Sequence, residues 1–410
     1  MGGREALARP AARRHRRNHR RLLLYRLPID AVPDITNNQV QINVRAPALS
    51  PELVEKQVSF PIETALAGTP GLEYTRSLSR NGFAQITAVF SDATDIYFAR
   101  QQVGERLQGV AENLPDGVNP EMGPIATGLG EVYMYTVRLQ HRADDKHKPG
   151  EPGQQPDGSY ITPEGDRLTS EEDKATYLRT AQDWIVTPLL KNTPGLAGVD
   201  SIGGYAKQFL VVPDVQKLAS LGITLTELGN ALERNNTSVG GGFVNRNGEG
   251  LAVRSDALVR NTGELARTVV ATRNGVPVTL DQVATVRTGQ AIRMGSASEN
   301  GTEVVVGTAI MRIGENSRSV ATAVADKLKT INASLPPDVV VQPVLNRTEL
   351  VNSTIRTVAR NLGEGAVLVI VVLFLLLGNF RAALIAALVI PITMTLTGSG
   401  CSRQASLPTS

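Results

Sequence analysis

Two apolar runs near the end of the chain constrain it more than any other feature. Residues 365–378 (GAVLVIVVLFLLLG) carry no polar side chain, and neither do residues 382–392 (AALIAALVIPI); only Asn379-Phe380-Arg381 separates them. A helix on the surface of a water-soluble fold shows a polar stripe, and residues 366–377 have none. Each run is shorter than the roughly 18 to 20 residues that a bilayer span needs. The first extends back toward Val351, which leaves Arg360 and Glu364 near the aqueous boundary. The expectation is two membrane helices within 342–397, joined by a very short loop. A buried helical hairpin is the alternative, and the unbroken apolar surface argues against it. Glu364, the acid nearest the membrane, is expected to sit solvated at the interface rather than to relay protons.

The rest of the chain is not hydrophobic enough for lipid, so a large water-exposed part is expected on a short membrane stem. The net charge of +3 is unevenly spread. Residues 1–21 hold eight Arg and one acid, Glu5. The run RRHRRNHRR at 13–21 has no aromatic interleaving, so it reads as a solvated basic tail (residues 1–27), with no nucleic-acid partner. Leu22-Leu23-Leu24 is too short for the apolar core of a secretory signal. The single cysteine, Cys401, excludes an intrachain disulfide framework.

An internal repeat organises the middle. Residues 40–44 (VQINV) alternate as a strand does. Ser50-Pro51-Glu52 carries the signals of a helix start, and Pro61 is expected to kink or shorten that helix. Thr69-Pro70-Gly71-Leu72 turns the chain into a strand at 72–79. Asn81-Gly82 signals a hairpin into a strand at 83–90, and a helix at 95–113 ends at Leu114-Pro115-Asp116-Gly117. Thr193-Pro194-Gly195-Leu196 repeats the first turn, with Ser201 where Ser77 stood and a Pro-containing helix before it. Asn300-Gly301, an apolar run at 304–313, a helix bearing Val320, Val324, Leu328 and Ile331, and Leu335-Pro336-Pro337-Asp338 follow in the same order. The fold class is therefore α+β: two ferredoxin-like βαββαβ units, the second split by an insertion between about Gly203 and Glu299.

Two segments fall outside the repeat. Residues 140–172, rich in Pro, Gly and charge, read as an exposed loop. The insertion opens with an apolar strand at 208–212 and an amphipathic helix near 225–232. It then presents Gly240, Gly241, Gly242, Phe243 and Asn247-Gly248, expected as a protruding hairpin that finds its partner on another subunit.

No enzyme signature is present: Gly240-Gly241-Gly242 lacks the Gly-Lys-Ser/Thr of a phosphate loop, and neither G-x-S-x-G nor H-E-x-x-H occurs. The expectation is a non-enzyme without cofactor. His141 and His147, with Asp144 and Asp145 between them, are the metal-ligand candidates by donor type. Their spacing fits no recognised ligand pattern, and a solvated charge run is the competing reading. The scattered Met122, Met134, Met294, Met311 and Met394 trace no thioether path and fit core packing.

Together the segments LPIDAVPDITNNQVQI (27–42), SPELVEKQVSFPIETALAGTPGLE (50–73), PEMGPIATGLGEVYMYTV (120–137), VDSIGGYAKQFLV (199–211), NRTELVNSTI (346–355) and LLGNFRAALIAALVIPI (376–392) resemble the heavy-metal branch of the resistance-nodulation-division (RND) efflux pumps, CzcA- and CusA-like. The resemblance implies a first porter subdomain at 28–135 and a second at 136–204 with 292–341. A docking subdomain at 205–291 would carry an inter-subunit arm at 236–254, and two transmembrane helices would lie in 342–397. It also implies a homotrimer in the bacterial inner membrane with its bulk in the periplasm, a periplasmic adaptor (membrane fusion protein), an outer-membrane channel, and export of divalent cations against protons. The sparse methionines lean toward Zn, Co or Cd over Cu(I). Arg-rich residues stand where the family has an apolar helix before LPIDAVPD, and the resemblance stops after Met394, leaving an atypical tail at 398–410. The chain is therefore expected to be a truncated pump that cannot transport alone. Two other readings stay open: a non-transporting module that binds adaptor or pump subunits, and a multidrug RND fragment, against which the 4% aromatic content argues.

Overall fold

The computed structural model describes residues 36–140, 148–246, 249–256, 258–293 and 295–377, together with Arg381, Ile385, Val389 and Thr393. The first lobe begins with β1 (Gln39–Arg45), whose alternate residues Val40, Ile42 and Val44 point into the core. Helix α1 follows in three stretches: Pro51–Val54, a π-helical turn at Glu55–Ser59, and Phe60–Leu66. Ser50 caps it, its side chain accepting from Leu53 N at 3.4 Å. The kink expected at Pro61 is absorbed differently. Phe60 N–H bonds to Glu55 O, so the ladder widens just before the residue that has no N–H, and the helix runs on to Leu66.

Strands β2 (Leu72–Arg80) and β3 (Phe83–Phe90), helix α2 (Ile96–Ala111) and β4 (Asn119–Met122) complete the lobe, and the sheet is antiparallel in the order β2-β3-β1-β4. Val54, Val58, Ile62 and Leu66 of α1 and Ala99, Val103, Leu107 and Val110 of α2 cover one face of it. Each large apolar side chain so buried contributes roughly 1.5–3 kcal/mol.

The second lobe starts at β5 (Glu131–Leu139). Residues 148–168, expected as loop, instead form a small sheet of β6 (Gly153–Gln154), β7 (Tyr160–Ile161) and β8 (Arg167–Leu168). Its anchor is long-range, which local composition does not reveal. Tyr160 is fully buried, its hydroxyl donates to Pro337 O at 2.9 Å, and its ring lies 5.3 Å from that of Tyr177. Helix α3 then runs as Glu171–Ala181, a second π-helical turn at Gln182–Val186, and Thr187–Lys191, again with the turn just before a proline, Pro188. Strand β9 is Leu196–Ile202.

The inserted module comprises β10 (Lys207–Pro213), α4 (Val215–Ser220), α5 (Leu225–Asn235), β11 (Ser238–Arg246), β12 (Glu249–Asp256), α6 (Thr262–Ala266), β13 (Val269–Arg273), β14 (Val276–Thr279), α7 (Leu280–Val283) and β15 (Ala284–Gln290). β10 pairs with β15, so the module leaves and rejoins the lobe through adjacent strands, and Leu218, Leu228, Val270, Leu280 and Val283 form a core of its own.

The lobe resumes with β16 (Ala297–Glu299), β17 (Thr302–Met311), α8 (Ser317–Asn332) and β18 (Val339–Asn346). β9, β17, β5 and β18 are neighbours in that order, which repeats β2-β3-β1-β4 member for member. A single shift in numbering carries Ala99, Val103, Leu107 and Val110 onto Val320, Val324, Leu328 and Ile331, all buried. The same shift carries Gly117 (φ 79°) onto Asp338 (φ 58°), and the turns match: Val118 N bonds to Pro115 O and Val339 N to Pro336 O, both at 3.1 Å.

Asp338 therefore fills a backbone position that favours glycine, and it does so with a fully buried carboxylate that accepts from Gln154 N at 2.7 Å. Asp338→Gly keeps the turn and loses the carboxylate, a cost of about 1–2 kcal/mol. Asp338→Ala also suffers the positive φ, about 1 kcal/mol more. Hydrogen exchange at the Gln154 amide is expected to speed up in the order wild type, Asp338→Gly, Asp338→Ala. Equal rates in all three would show that the carboxylate does not hold the small sheet.

Helix α9 (Arg347–Leu377) leaves the second lobe directly from β18; its 31 residues span about 46 Å at 1.5 Å per residue. Its apolar stretch has no buried share. Arg381, Ile385, Val389 and Thr393 are also helical, while the rest of the second apolar run, residues 1–35 and the tail after Thr393 lie outside the described residues.

Candidate functional site

The metal-ligand candidates His141, Asp144, Asp145 and His147 lie outside the described residues, on the segment between β5 and the small sheet. Among the described residues, no cluster of three or more His, Cys, Asp or Glu side chains forms a metal-binding group.

The arm is the β11–β12 hairpin. Its register shifts between Gly240 and Phe243, where Gly242 takes φ 83°, a bulge that the run of glycines permits without strain. Phe243 is 80% exposed, and Val244 and Leu251 stand open beside it. Among the described residues the two strands pair only with each other, and an isolated two-stranded hairpin is marginal in water. Asn247 lies outside the described residues.

A polar network covers part of the second sheet. Arg138 Nη1 lies 3.1 Å from Glu299 Oε1, Thr136 Oγ1 donates to Glu299 Oε2 at 3.0 Å, and Arg138 also donates to Gln140 and Gln342. Near the entry and exit of the inserted module, the Arg293 guanidinium stacks 4.4 Å over the Tyr205 ring and pairs with Glu303.

Beneath the same sheet, the fully buried Gln182 amide lies 3.1 Å from the Tyr135 hydroxyl, 3.0 Å from Ser201 Oγ and 3.2 Å from Thr187 Oγ1. Burial pushes the Tyr135 hydroxyl well above the ordinary tyrosine range, so it stays protonated. The network is invisible in the sequence, because a single Gln on a helix carries no pattern.

On α9, Arg360 Nε and Glu364 Oε1 pair at 2.8 Å one turn apart, and both are exposed. At the base of that helix Val351 is fully buried. The arrangement as a whole is two like lobes, a module inserted in the second, a projecting hairpin, and one long apolar helix.

Residues 22–400 match the family model described as AcrB/AcrD/AcrF. The chain belongs to that family. Within it the chain falls in the heavy-metal RND branch, as its relatives indicate. It is 56% identical over 376 residues to the nickel-cobalt-cadmium resistance protein NccA of Alcaligenes xylosoxydans xylosoxydans, covering 91% of this chain and 35% of that protein. It is 53% identical over 379 residues to the nickel and cobalt resistance protein CnrA of Cupriavidus metallidurans, covering 92% and 35%. The cation efflux system protein CusA of Escherichia coli K12 is more distant, at 35% over 371 residues, covering 90% and 33%. A crystal structure of a heavy metal efflux pump superposes with a TM-score of 0.79 at 30% identity, covering 94% of this chain and 36% of that one. The chain thus spans about a third of the length of the relatives that it matches.

Proposed function

We propose that this chain forms the porter and docking parts, with the adjoining membrane stem, of a proton-driven exporter of divalent metal cations. The identity to NccA, sustained over 376 residues and hence across both lobes, the inserted module and the stem, carries the reading. In it the lobes are ferredoxin-like porter subdomains at 28–135 and at 136–204 with 292–341, and the inserted module at 205–291 docks toward an outer-membrane channel. The segment 342–397 enters the inner membrane as two helices, with the lobes in the periplasm. The exposed apolar helix α9 supports that placement, since 31 residues exceed the length of one span.

The exposed Phe243 and the bulged hairpin support a trimer in which each arm, including Gly240, Gly241, Gly242 and Asn247, packs on a neighbouring copy. A periplasmic adaptor completes the path. The activity is transport rather than catalysis, with no resident cofactor. The cargo is Zn, Co or Cd, with Ni added by the names of the two relatives above 50% identity.

The test is a chimera. Residues 36–377 replace the matching segment of NccA in a strain without its own exporter, and growth is followed against rising nickel and cobalt. Tolerance close to that of unaltered NccA is expected. A chimera that reaches the membrane in normal amount and gives no more tolerance than an empty vector would remove the proposal.

A further inference from the structure

Residues 123–130 (GPIATGLG) join the two lobes, and successive parts of this connector bond to different bodies. At its start, Gly123 N donates to Gln41 O of β1 at 2.8 Å, and Gly123 O accepts from Arg100 Nη1 of α2 at 2.8 Å. In the middle, Pro124 lies beside Gly198 of β9, and Ile125 O accepts from Ile313 N at 3.2 Å. At the end, Gly130 O accepts from Met311 N of β17 at 2.7 Å, and Leu129 O accepts from Arg347 Nη1 at 2.7 Å. Arg347 is the first residue of α9.

Two internal bonds, Ala126 N to Pro124 O and Gly130 N to Thr127 O, both at 2.9 Å, draw the connector into consecutive turns. Gly130 is closely enclosed: an added Cβ would sit 3.0 Å from Thr127 O and 3.2 Å from Met311 O. An ordinary surface connector leaves most of its carbonyls to water. Here the carbonyls of its first and last-but-one residues, Gly123 O and Leu129 O, each accept from a guanidinium, and such charge-assisted bonds are stronger than neutral ones.

We propose that 123–130 is a mechanical strap that carries displacement of the base of α9 to the first lobe, with Arg347 as its pin on the helix and Arg100 as its pin on the lobe. The base of α9 is seated on the second lobe through buried Val351 and through Thr348 Oγ1, which donates to Arg318 O at 3.4 Å. The strap adds a route from that seat to the first lobe. With it, pulling on Leu129 O tightens or loosens the Gly123 bonds to Gln41 and Arg100. The coupling lies within one chain and holds whether or not α9 lies in a bilayer, so it goes beyond the transport reading.

Coupling of this kind is reciprocal, which sets the experiment. Residue-resolved hydrogen exchange is measured on the full chain in detergent micelles. Arg347→Ala is expected to speed exchange of the Gly123 amide roughly tenfold, the scale of one lost charge-assisted bond. Arg100→Ala is expected to speed exchange of the Met311 amide at the opposite end. Arg360→Ala, on the exposed part of α9, is expected to change neither. Where Arg347→Ala does not fold, Arg347→Lys, which keeps the charge and loses the planar fork, is read in the same way. Acceleration confined to 129–130 and 347–351, an unmoved Met311 amide in Arg100→Ala, or a Gly123 response to Arg360→Ala would each overturn the strap.

Discussion

Gly307→Ala will loosen the second lobe more than its single methyl group suggests. Gly307 faces Tyr135 across the β17–β5 ladder. A Cβ built on it falls 2.2 Å from Tyr135 Cζ and 2.4 Å from both Cε2 and the hydroxyl oxygen. The ring cannot swing clear, since Tyr135 is fully buried and its hydroxyl meets Gln182 at 3.1 Å. Overpacking of this kind costs about 1–3 kcal/mol, and displacing the hydroxyl adds about 1 kcal/mol for the weakened hydrogen bond. The expected result is a loss of about 3 kcal/mol from the unfolding transition of the second lobe, followed by denaturant titration of the full chain in detergent, with the first lobe unaffected. Tyr135→Leu/Gly307→Ala is the partner experiment: shortening the ring gives the methyl its space, so the double variant should lose less than the sum of the two single variants. Additive losses would mean that the two residues do not compete for one volume.

The parts of this fold that sequence exposes are those set by local pattern. Val40, Ile42 and Val44 alternate because one face of β1 is covered, and the four apolar positions of α2 recur in α8 because both helices lie on the same kind of sheet. The Thr-Pro-Gly-Leu turn is readable twice for the same reason. The π-helical turns before Pro61 and Pro188 are not readable, since a proline in a helix is compatible with a kink, a stop or a widened turn, and only packing chooses among them. Residues 148–168 read as loop because their composition is that of a loop; what orders them is Tyr160 and Gln154 reaching residues 337 and 338 from far along the chain. Asn274-Gly275 differs from both. Its signal is as plain as that of Asn81-Gly82, and it makes the β13–β14 hairpin with both residues at positive φ, 51° and 79°. For function, the apolar stem and the glycine-rich arm announce themselves in composition. The strap at 123–130 does not, because its meaning lies in which distant donors its carbonyls accept from.

The repeated turn also yields a sharp comparison between two glycines in the same conformation. Gly71 and Gly195 have φ of 76° and 80°, and each is followed by a leucine whose N–H bonds back to the threonine of the motif, at 3.1 Å and 3.2 Å. Replacing either with Ala meets the same left-handed backbone cost, about 1 kcal/mol. The surroundings differ. At Gly71 the new Cβ would meet Thr94 Oγ1 at 2.3 Å, a rotatable hydroxyl on a half-buried side chain whose tie is to Ser91 Oγ at 2.8 Å. At Gly195 it would meet Val320 Cγ2 at 2.7 Å, and Val320 is a core residue of α8 with 3% of its surface exposed. Thr94 can turn away for the loss of one hydrogen bond, about 1 kcal/mol. Val320 has one strongly favoured rotamer in a helix, so its lobe must shift, at about 1–3 kcal/mol. Gly195→Ala is therefore expected to destabilise its lobe by about 3 kcal/mol and Gly71→Ala by about 2 kcal/mol. Val320→Ala added to Gly195→Ala should recover part of the loss, and Thr94→Ser added to Gly71→Ala should do little, because the clashing hydroxyl remains. Equal losses for the two single variants would show that backbone conformation alone governs this turn, and that the two lobes are interchangeable at the motif that first marks them as copies.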